Sequence, residues 1–394
     1  MENILSPFEV CAVQIWTANC FLFVIIIYNI YRENMLPNKK ALKIIEKYIK
    51  IYDGKNEDEI KRSLIKDLLK NDVLVKTKDG TFTLKAESED ELMHSNVGAL
   101  TESIYKFVEP SNIASIKQPK ILDLCSGLGY NATTALHYNK NAHIDMVEVC
   151  EEVLFLTLFL DIPYKEHEII KDKVREYFLN KKGIEYASNF DNVHVYVMDA
   201  REFICKKKTD YHAIFHDAFS PKRDPTLYTY DFLEMLFFNT KKGGVLISYS
   251  SSIPFRSALV DCGFEISEKE SVGRKRGITL AYKCPNFDVD RVNRTDERVI
   301  ALSTTALPYR DESLSLSSLE IENFRRELRK QLKDDLIRID KFISTKRIKK
   351  GKVPDYIINI QEEALSSSKV IKKMRSEFFG DEKFFIKFSS NGCL

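Results

Sequence analysis

The sequence predicts an α/β fold built on a seven-stranded, mainly parallel sheet. From Ile121 onward, short apolar runs alternate with segments that suit helices, which is the pattern of parallel strands joined by crossover helices. The first run opens the segment Leu122–Asn131 (LDLCSGLGYN), which is typical of the strand, glycine turn and helix of a nucleotide-binding sheet. The last two runs lie close together, so we expect the final strand to be antiparallel. The predicted strands are Ile121–Cys125, Ile144–Val149, Val193–Met198, His212–His216, Gly244–Tyr249, Phe264–Glu268 and Ile278–Tyr282.

Composition and charge exclude few classes of protein. The net charge of the 394 residues is +2, so no global field marks the chain as a nucleic-acid binder. The 8 cysteines include no C-x-x-C pair, a pattern typical of reduced thiols in a cytosolic protein without a zinc site. We therefore expect a cytoplasmic protein that holds no metal.

Residues 1–34 form a hydrophobic segment that allows two interpretations. Residues 10–31 contain no charged side chain and are long enough to span a bilayer, and the cations that follow would keep the remaining chain in the cytoplasm. Alternatively, Met35 is the true start of the protein. No basic residue precedes the run and no small-residue cleavage site follows it, which argues against a signal peptide. Any membrane association is expected only through residues 10–31.

Three further regions follow this segment. Residues 36–90 contain two amphipathic helical patterns and a hairpin signal at Lys78–Thr81, which together resemble a small winged-helix-like module. Such a module can contact RNA, but we expect it to pack against the central domain. Residues 91–310 hold the predicted sheet. Residues 311–394 are charged and helical, which predicts a solvated or RNA-contacting extension.

The glycine turn predicts a cofactor that carries adenosine. Gly127 and Gly129 let the backbone approach such a ligand closely, and with Ala132 their spacing fits both NAD and S-adenosylmethionine. Asp123, near the end of the first strand, favours S-adenosylmethionine, because a carboxylate attracts the methionine ammonium and repels the pyrophosphate of NAD. Glu148, at the end of the second strand, is placed to accept hydrogen bonds from both ribose hydroxyls.

Asp217 is the strongest candidate for a catalytic residue. It ends the fourth predicted strand, at the edge where open α/β sheets bind their ligands, and a loop with two prolines follows it. A carboxylate beside a methyl sulfonium can orient an amine nucleophile and receive its proton. Lys222 and Arg223 in the same loop suit a polyanionic substrate.

A second basic loop precedes the last strand. Arg274, Lys275 and Arg276 are consecutive cations between two glycines, and such a loop can hold RNA phosphates in a salt-dependent way. A solvated turn is equally compatible with the charge alone.

Several segments together resemble the methyltransferases of the MnmC type, which complete 5-methylaminomethyl-2-thiouridine at the wobble position of tRNA. The similarity runs from about Val73 to Arg310 and is greatest to the stand-alone form, because no FAD-binding oxidase sequence is recognisable here. The segments that carry it are His94–Ser103, Leu122–Asn131, Asp217–Pro221, Gly273–Arg276 and Pro308–Asp311.

The resemblance implies a class I, Rossmann-like fold that uses S-adenosylmethionine and acts on tRNA. It implies that Asp217 is the catalytic carboxylate and that Phe219 lines the acceptor pocket. Without an oxidase, a separate enzyme would supply the aminomethyl precursor. The residues that would contact S-adenosylmethionine are Gly127, Gly129, Glu148 and Asp199, with Asp199 and Ala200 placed at the adenine.

Two rival functions share this fold. An aminopropyltransferase related to spermidine synthase would normally carry further carboxylates in the acceptor loop, where this chain has Lys222 and Arg223. A non-catalytic RNA-binding relative is the second rival. Five intact candidate residues argue against it: Asp123, Gly127, Gly129, Glu148 and Asp217.

Overall fold

A computed structural model of the protein describes residues 37–87, 92–272 and 277–391. Pro37–Leu394 form one compact unit. Residues 10–31, proposed above as a membrane anchor, and the three cations at 274–276 lie outside the described residues. Within the described ranges, no helix combines the length and the apolar character needed to cross a bilayer.

The region after residue 36 forms two helices and a hairpin, α1 (Lys39–Ile51), α2 (Glu57–Lys70), β1 (Leu74–Lys76) and β2 (Phe82–Leu84). Tyr52, which is 1% exposed, packs edge-on against Phe155 with 5.3 Å between the ring centroids. Arg175 donates two hydrogen bonds of 2.8 Å to the carboxylate of Glu57. These contacts join the helices to the body of the protein, so they form a layer of the same unit.

Seven strands form the central sheet, in the order β5-β4-β3-β6-β7-β9-β8. All neighbours pair in parallel except at β9, which is antiparallel to both β7 and β8. The predicted number of strands and the antiparallel last strand are therefore confirmed. The strands are β3 (Lys120–Leu124), β4 (His143–Glu148), β5 (Val193–Val197), β6 (Tyr211–His216), β7 (Thr240–Ser248), β8 (Glu265–Lys269) and β9 (Ile278–Tyr282).

Helices connect and extend these strands. A π-helical stretch, Ser103–Val108, joins the first two helices after the hairpin into one continuous rod. The helices are α3 (Ala99–Glu102), α4 (Glu109–Ser111), α5 (Tyr130–Tyr138), α6 (Glu151–Leu156), α7 (His167–Lys181), α8 (Ala200–Lys206), α9 (Tyr230–Asn239), α10 (Ile253–Cys262), α11 (Arg294–Leu302), α12 (Ser318–Arg338), α13 (Thr345–Lys349), α14 (Asp355–Gln361), α15 (Ser367–Phe379) and α16 (Phe384–Asn391).

The C-terminal helices pack into the main core. Ile348, Ile371 and Met374 are fully buried and belong to the same apolar cluster as Leu122 and Ile214 of the central strands. The prediction of a solvated appendage is therefore wrong. The charges of this region are concentrated on outward faces, while regularly spaced apolar residues supply the inner faces.

Candidate functional site

Three carboxyl groups meet at the carboxyl edge of the sheet. β4, β3 and β6 are adjacent and parallel, so their carboxyl ends lie side by side. Glu148 ends β4, Asp123 lies one residue before the end of β3, and Asp217 directly follows β6. Where they are ionised, carboxyl groups gathered at one edge suit a cationic ligand, such as a sulfonium or an ammonium.

Asp123 is the most deeply buried of the three. It is 0% exposed, and neither oxygen of its carboxyl group has a hydrogen-bond partner among the described residues. Burial, and next the charge of Asp217, raise the pKa of this carboxyl group well above its usual range. Because the group is enclosed, a ligand ammonium would reach it only if the surrounding loop moved.

The raised pKa of Asp123 predicts that Asp123→Asn stabilises the folded protein by an amount that depends on pH. The unfolded chain loses this proton near pH 4, whereas the folded protein holds it to higher pH, so the parent loses stability as pH rises through that window. Asparagine has no such proton, and we expect the stability of the variant relative to the parent to increase with pH above about 4. Urea unfolding of both proteins across the acidic and neutral range measures this difference. A constant difference would contradict the burial of an ionisable group.

The glycine loop is tied to the end of β4 by Glu148. Gly127 N–H donates to Oε2 of Glu148 at 2.9 Å, and Cys150 N–H donates to Oε1 at 2.8 Å. Each carboxylate oxygen has a second lone pair, so the side chain can still accept from a ribose hydroxyl. Gly127 adopts φ +53°, a left-handed conformation that favours glycine.

Gly129 is required by close packing as well as by its φ of +75°. A Cβ atom at this position would lie 3.1 Å from Cγ2 of Thr157 and 3.2 Å from Cγ2 of Ile170. The loop can therefore lie close to the helical layer behind it. Together with Glu148, these backbone positions fit an adenosine-bearing cofactor.

Asp217 is oriented by two residues to which sequence reasoning assigned no role. Nδ2 of Asn131 donates to Oδ2 of Asp217 at 3.0 Å, and Oγ of Ser103 donates to Oδ1 of Asn131 at 2.7 Å. Asn131 is 5% exposed and Ser103 is 1% exposed, so water does not compete strongly for these bonds. The sequence does contain a signal for Asn131. It lies in the first turn of the helix after the two glycines, and that turn faces the carboxyl ends of the strands.

The acceptor loop, residues 217–228, is anchored at both ends. The hydroxyl of Tyr228 donates to the carbonyl of Ala218 at 3.1 Å. Oγ of Ser318, the first residue of α12, donates to Oδ1 of Asp224 at 2.7 Å. Between these anchors, Phe219 is partly exposed and Lys222 is exposed, so both side chains can reach a substrate.

His216 lies beside Asp217 but is suited to a structural role. Its Nε2 lies 2.7 Å from the carbonyl oxygen of Leu227, and its ring packs against Tyr228. Burial lowers the pKa of His216 to about 4, so the ring is neutral at physiological pH.

Asp199 caps the helix that follows β5. Its carboxylate accepts from the backbone N–H of Arg201 at 2.7 Å and from the guanidinium of the same residue at 2.9 Å. Arg201 is 2% exposed and also donates to Asp311 at 3.0 Å. The hydrogen bonds of Arg201 with Asp199 and Asp311, which sequence reasoning missed, hold Asp199 at the carboxyl edge of β5. The adenine contact was predicted at this place.

Comparison with known proteins gives a family match for part of the chain. A family model described as S-adenosyl-L-methionine-dependent methyltransferase matches residues 164–284. The chain is 68% identical, over 89% of its length and 99% of the other protein, to an uncharacterized protein of Methanocaldococcus jannaschii.

Two further proteins similar to this chain are of the MnmC type. The crystal structure of MnmC2 from Aquifex aeolicus is 30% identical with a TM-score of 0.52, and the match covers 68% of this chain and 96% of that one. The bifunctional tRNA 5-methylaminomethyl-2-thiouridine biosynthesis protein MnmC of Leptospira interrogans is 27% identical over 52% of this chain. That match spans 34% of the Leptospira protein.

Proposed function

Because this chain belongs to the MnmC-like, S-adenosyl-L-methionine-dependent methyltransferases, we propose that it methylates the 5-aminomethyl group of the wobble uridine in tRNA. The product would be 5-methylaminomethyluridine or its 2-thio form. The observation that carries the proposal is Asp217, held by Asn131 at the sheet edge where the glycine loop and the acceptor loop meet. A carboxylate in that place suits an amine substrate.

When bound, S-adenosylmethionine would supply a methyl group from its positively charged sulfur, and the bond between that sulfur and the methyl carbon would break as the C–N bond forms, leaving S-adenosylhomocysteine. Asp217 attracts the ammonium form of the substrate and then takes its proton, because only the neutral amine has a lone pair for the new C–N bond. Asn131 holds the carboxylate in place during this step. Holding the amine in line with the methyl group can contribute about 7–11 kcal/mol through proximity alone.

The cofactor would be held by groups from three strand ends. In this proposal Gly127 and Gly129 bring the backbone close to the methionine portion, and Glu148 accepts from the ribose hydroxyls. Asp199 and Ala200 contact the adenine, and Arg201 keeps Asp199 in position. Asp123 lies beneath the loop, and its fully buried carboxyl group would contact the methionine ammonium only after the loop moved.

The acceptor loop would hold the uridine and its phosphates. Phe219 lines the base pocket, and Lys222 contacts the RNA backbone. Arg274, Lys275 and Arg276 remain proposed phosphate contacts. A separate enzyme supplies the aminomethyl uridine.

Mass spectrometry of tRNA nucleosides tests the proposal. The full-length protein is incubated with S-adenosylmethionine and tRNA that carries 5-aminomethyluridine, with a reaction lacking the cofactor as control. We expect conversion to the 5-methylaminomethyl nucleoside. An unchanged nucleoside would contradict the proposal, and aminopropyl transfer from decarboxylated S-adenosylmethionine to a polyamine would support the spermidine-synthase-like alternative.

A further inference from the structure

A basic surface lies on α12, outside the site described above. Five cations and the ring of Tyr309 line an open cavity of about 440 Å³, hereafter the basic cavity. One carboxylate, Glu322, also lines it. The five cations are Arg325, Arg326, Arg329, Lys330 and Lys333.

The charge of the basic cavity is poorly compensated. Within residues 37–87, 92–272 and 277–391, no ion pair joins Arg325, Arg329, Lys330 or Lys333 to a carboxylate. Farther along the same helix, by contrast, Arg338 pairs with Asp335 at 2.9 Å. Neighbouring like charges repel one another, and a polyanion that binds across them removes this repulsion.

Arg325 forms a rigid wall of the basic cavity. Its Nε donates to the carbonyl of Leu307 at 2.7 Å, and its Nη2 donates to the carbonyl of Thr305 at 2.9 Å. The guanidinium lies over the ring of Tyr309, 4.5 Å from its centroid. Arg325 therefore shapes the surface, while Arg329, Lys330 and Lys333 add three further positive charges to it.

The position of α12 connects the basic cavity to the catalytic edge. The helix begins at Ser318, which is hydrogen-bonded to Asp224 of the acceptor loop, and the carbonyl of Tyr309 accepts from the N–H of Tyr230 at 2.9 Å. At 1.5 Å per residue, Arg325 to Lys333 lie about 10 to 22 Å along the helix from Ser318. A ligand that occupies both places must be an extended polyanion.

We propose that the basic cavity binds the phosphate backbone of a folded RNA whose reacting base lies at Asp217. The inference rests on the proposed function, because an RNA substrate would extend from the acceptor loop along α12. Lysine and arginine that contact phosphates release counterions, so this surface supplies affinity without reading the sequence.

A triple variant with a matched control tests the inference. Arg329→Ala, Lys330→Ala and Lys333→Ala remove three exposed or partly exposed cations from α12, and Lys39→Ala, Lys40→Ala and Lys43→Ala remove three exposed cations with the same spacing from α1. Binding of a tRNA transcript is measured between 50 and 200 mM salt. Calorimetry with S-adenosylmethionine shows that each variant is folded.

The α12 variant is expected to bind the transcript at least tenfold more weakly. The slope of the logarithm of its binding constant against the logarithm of salt concentration should be less steep by about two to three units. The control should remain within about twofold of the parent, because its cations lie on a different helix. Equal affinity and slope in the two variants would overturn the proposal. It would also be overturned if the triple change abolished binding to phosphatidylserine vesicles and left tRNA affinity unchanged.

These outcomes are separate from the test of methyl transfer. A parent protein that binds the transcript but methylates no aminomethyl uridine would contradict the proposed function and leave the RNA surface supported. A parent that methylates tRNA, with a triple variant that binds as tightly as the control, would contradict the RNA surface alone.

Discussion

Asp217→Asn is expected to lower kcat by roughly 10²–10⁴-fold and to leave the affinity for S-adenosylmethionine nearly unchanged. Asparagine keeps the shape of the side chain, and its carbonyl oxygen can still accept from Nδ2 of Asn131. The variant loses the negative charge that attracts the ammonium and the basic oxygen that takes its proton. Single-turnover methylation of tRNA, together with calorimetry for the cofactor, separates these two effects.

Asp210→Asn provides a matched control for this prediction. Asp210 is exposed in the loop just before β6, so the same change in charge is placed at the opposite end of the strand that Asp217 follows. We expect this variant to retain nearly the parent rate. If Asp217→Asn also methylated tRNA at close to the parent rate, the carboxylate would have a structural role and the proposed proton transfer would be wrong.

The sheet was predictable because its signals are local. Each strand is a short apolar run between turn residues, and the glycine turn after Leu124 marks where the first strand ends. Parallel strands place their carboxyl ends at one edge, which is why Asp123, Glu148 and Asp217 could be grouped before the structure was known. Their proposed roles in binding and catalysis remain predictions.

The partners of these residues were not predictable, because they lie far away in the sequence. Asn131 meets Asp217 across 86 positions, and Arg201 reaches Asp311 across 110. Sequence reasoning also treated Glu148 as an open ribose acceptor, whereas both of its oxygens already accept backbone N–H groups. The spacing of apolar residues along one helix or strand does not indicate which residues of a distant element it contacts.

Burial of the C-terminal helices was missed for a related reason. The high charge of residues 311–394 suggested solvation, but a charged side chain can be buried when its partner comes from another element. Arg375 of α15 is 0% exposed, and its Nη1 donates to Oδ1 of Asp261 on α10 at 2.5 Å. Its Nη2 donates to Oγ of Ser257 at 2.7 Å, also on α10.

Arg375→Met should therefore destabilise the whole protein by about 3–5 kcal/mol, because it leaves the carboxylate of Asp261 buried without its cation. The matched control is Arg338→Met, which breaks a pair in which the arginine side chain is 69% exposed and should cost at most about 1 kcal/mol. Adding Asp261→Leu to Arg375→Met should recover most of the loss, since apolar residues of similar volume can replace a buried pair. Urea unfolding, followed by circular dichroism, measures these differences. A loss from Arg375→Met no larger than that of the control would mean that α15 is not part of the cooperative core.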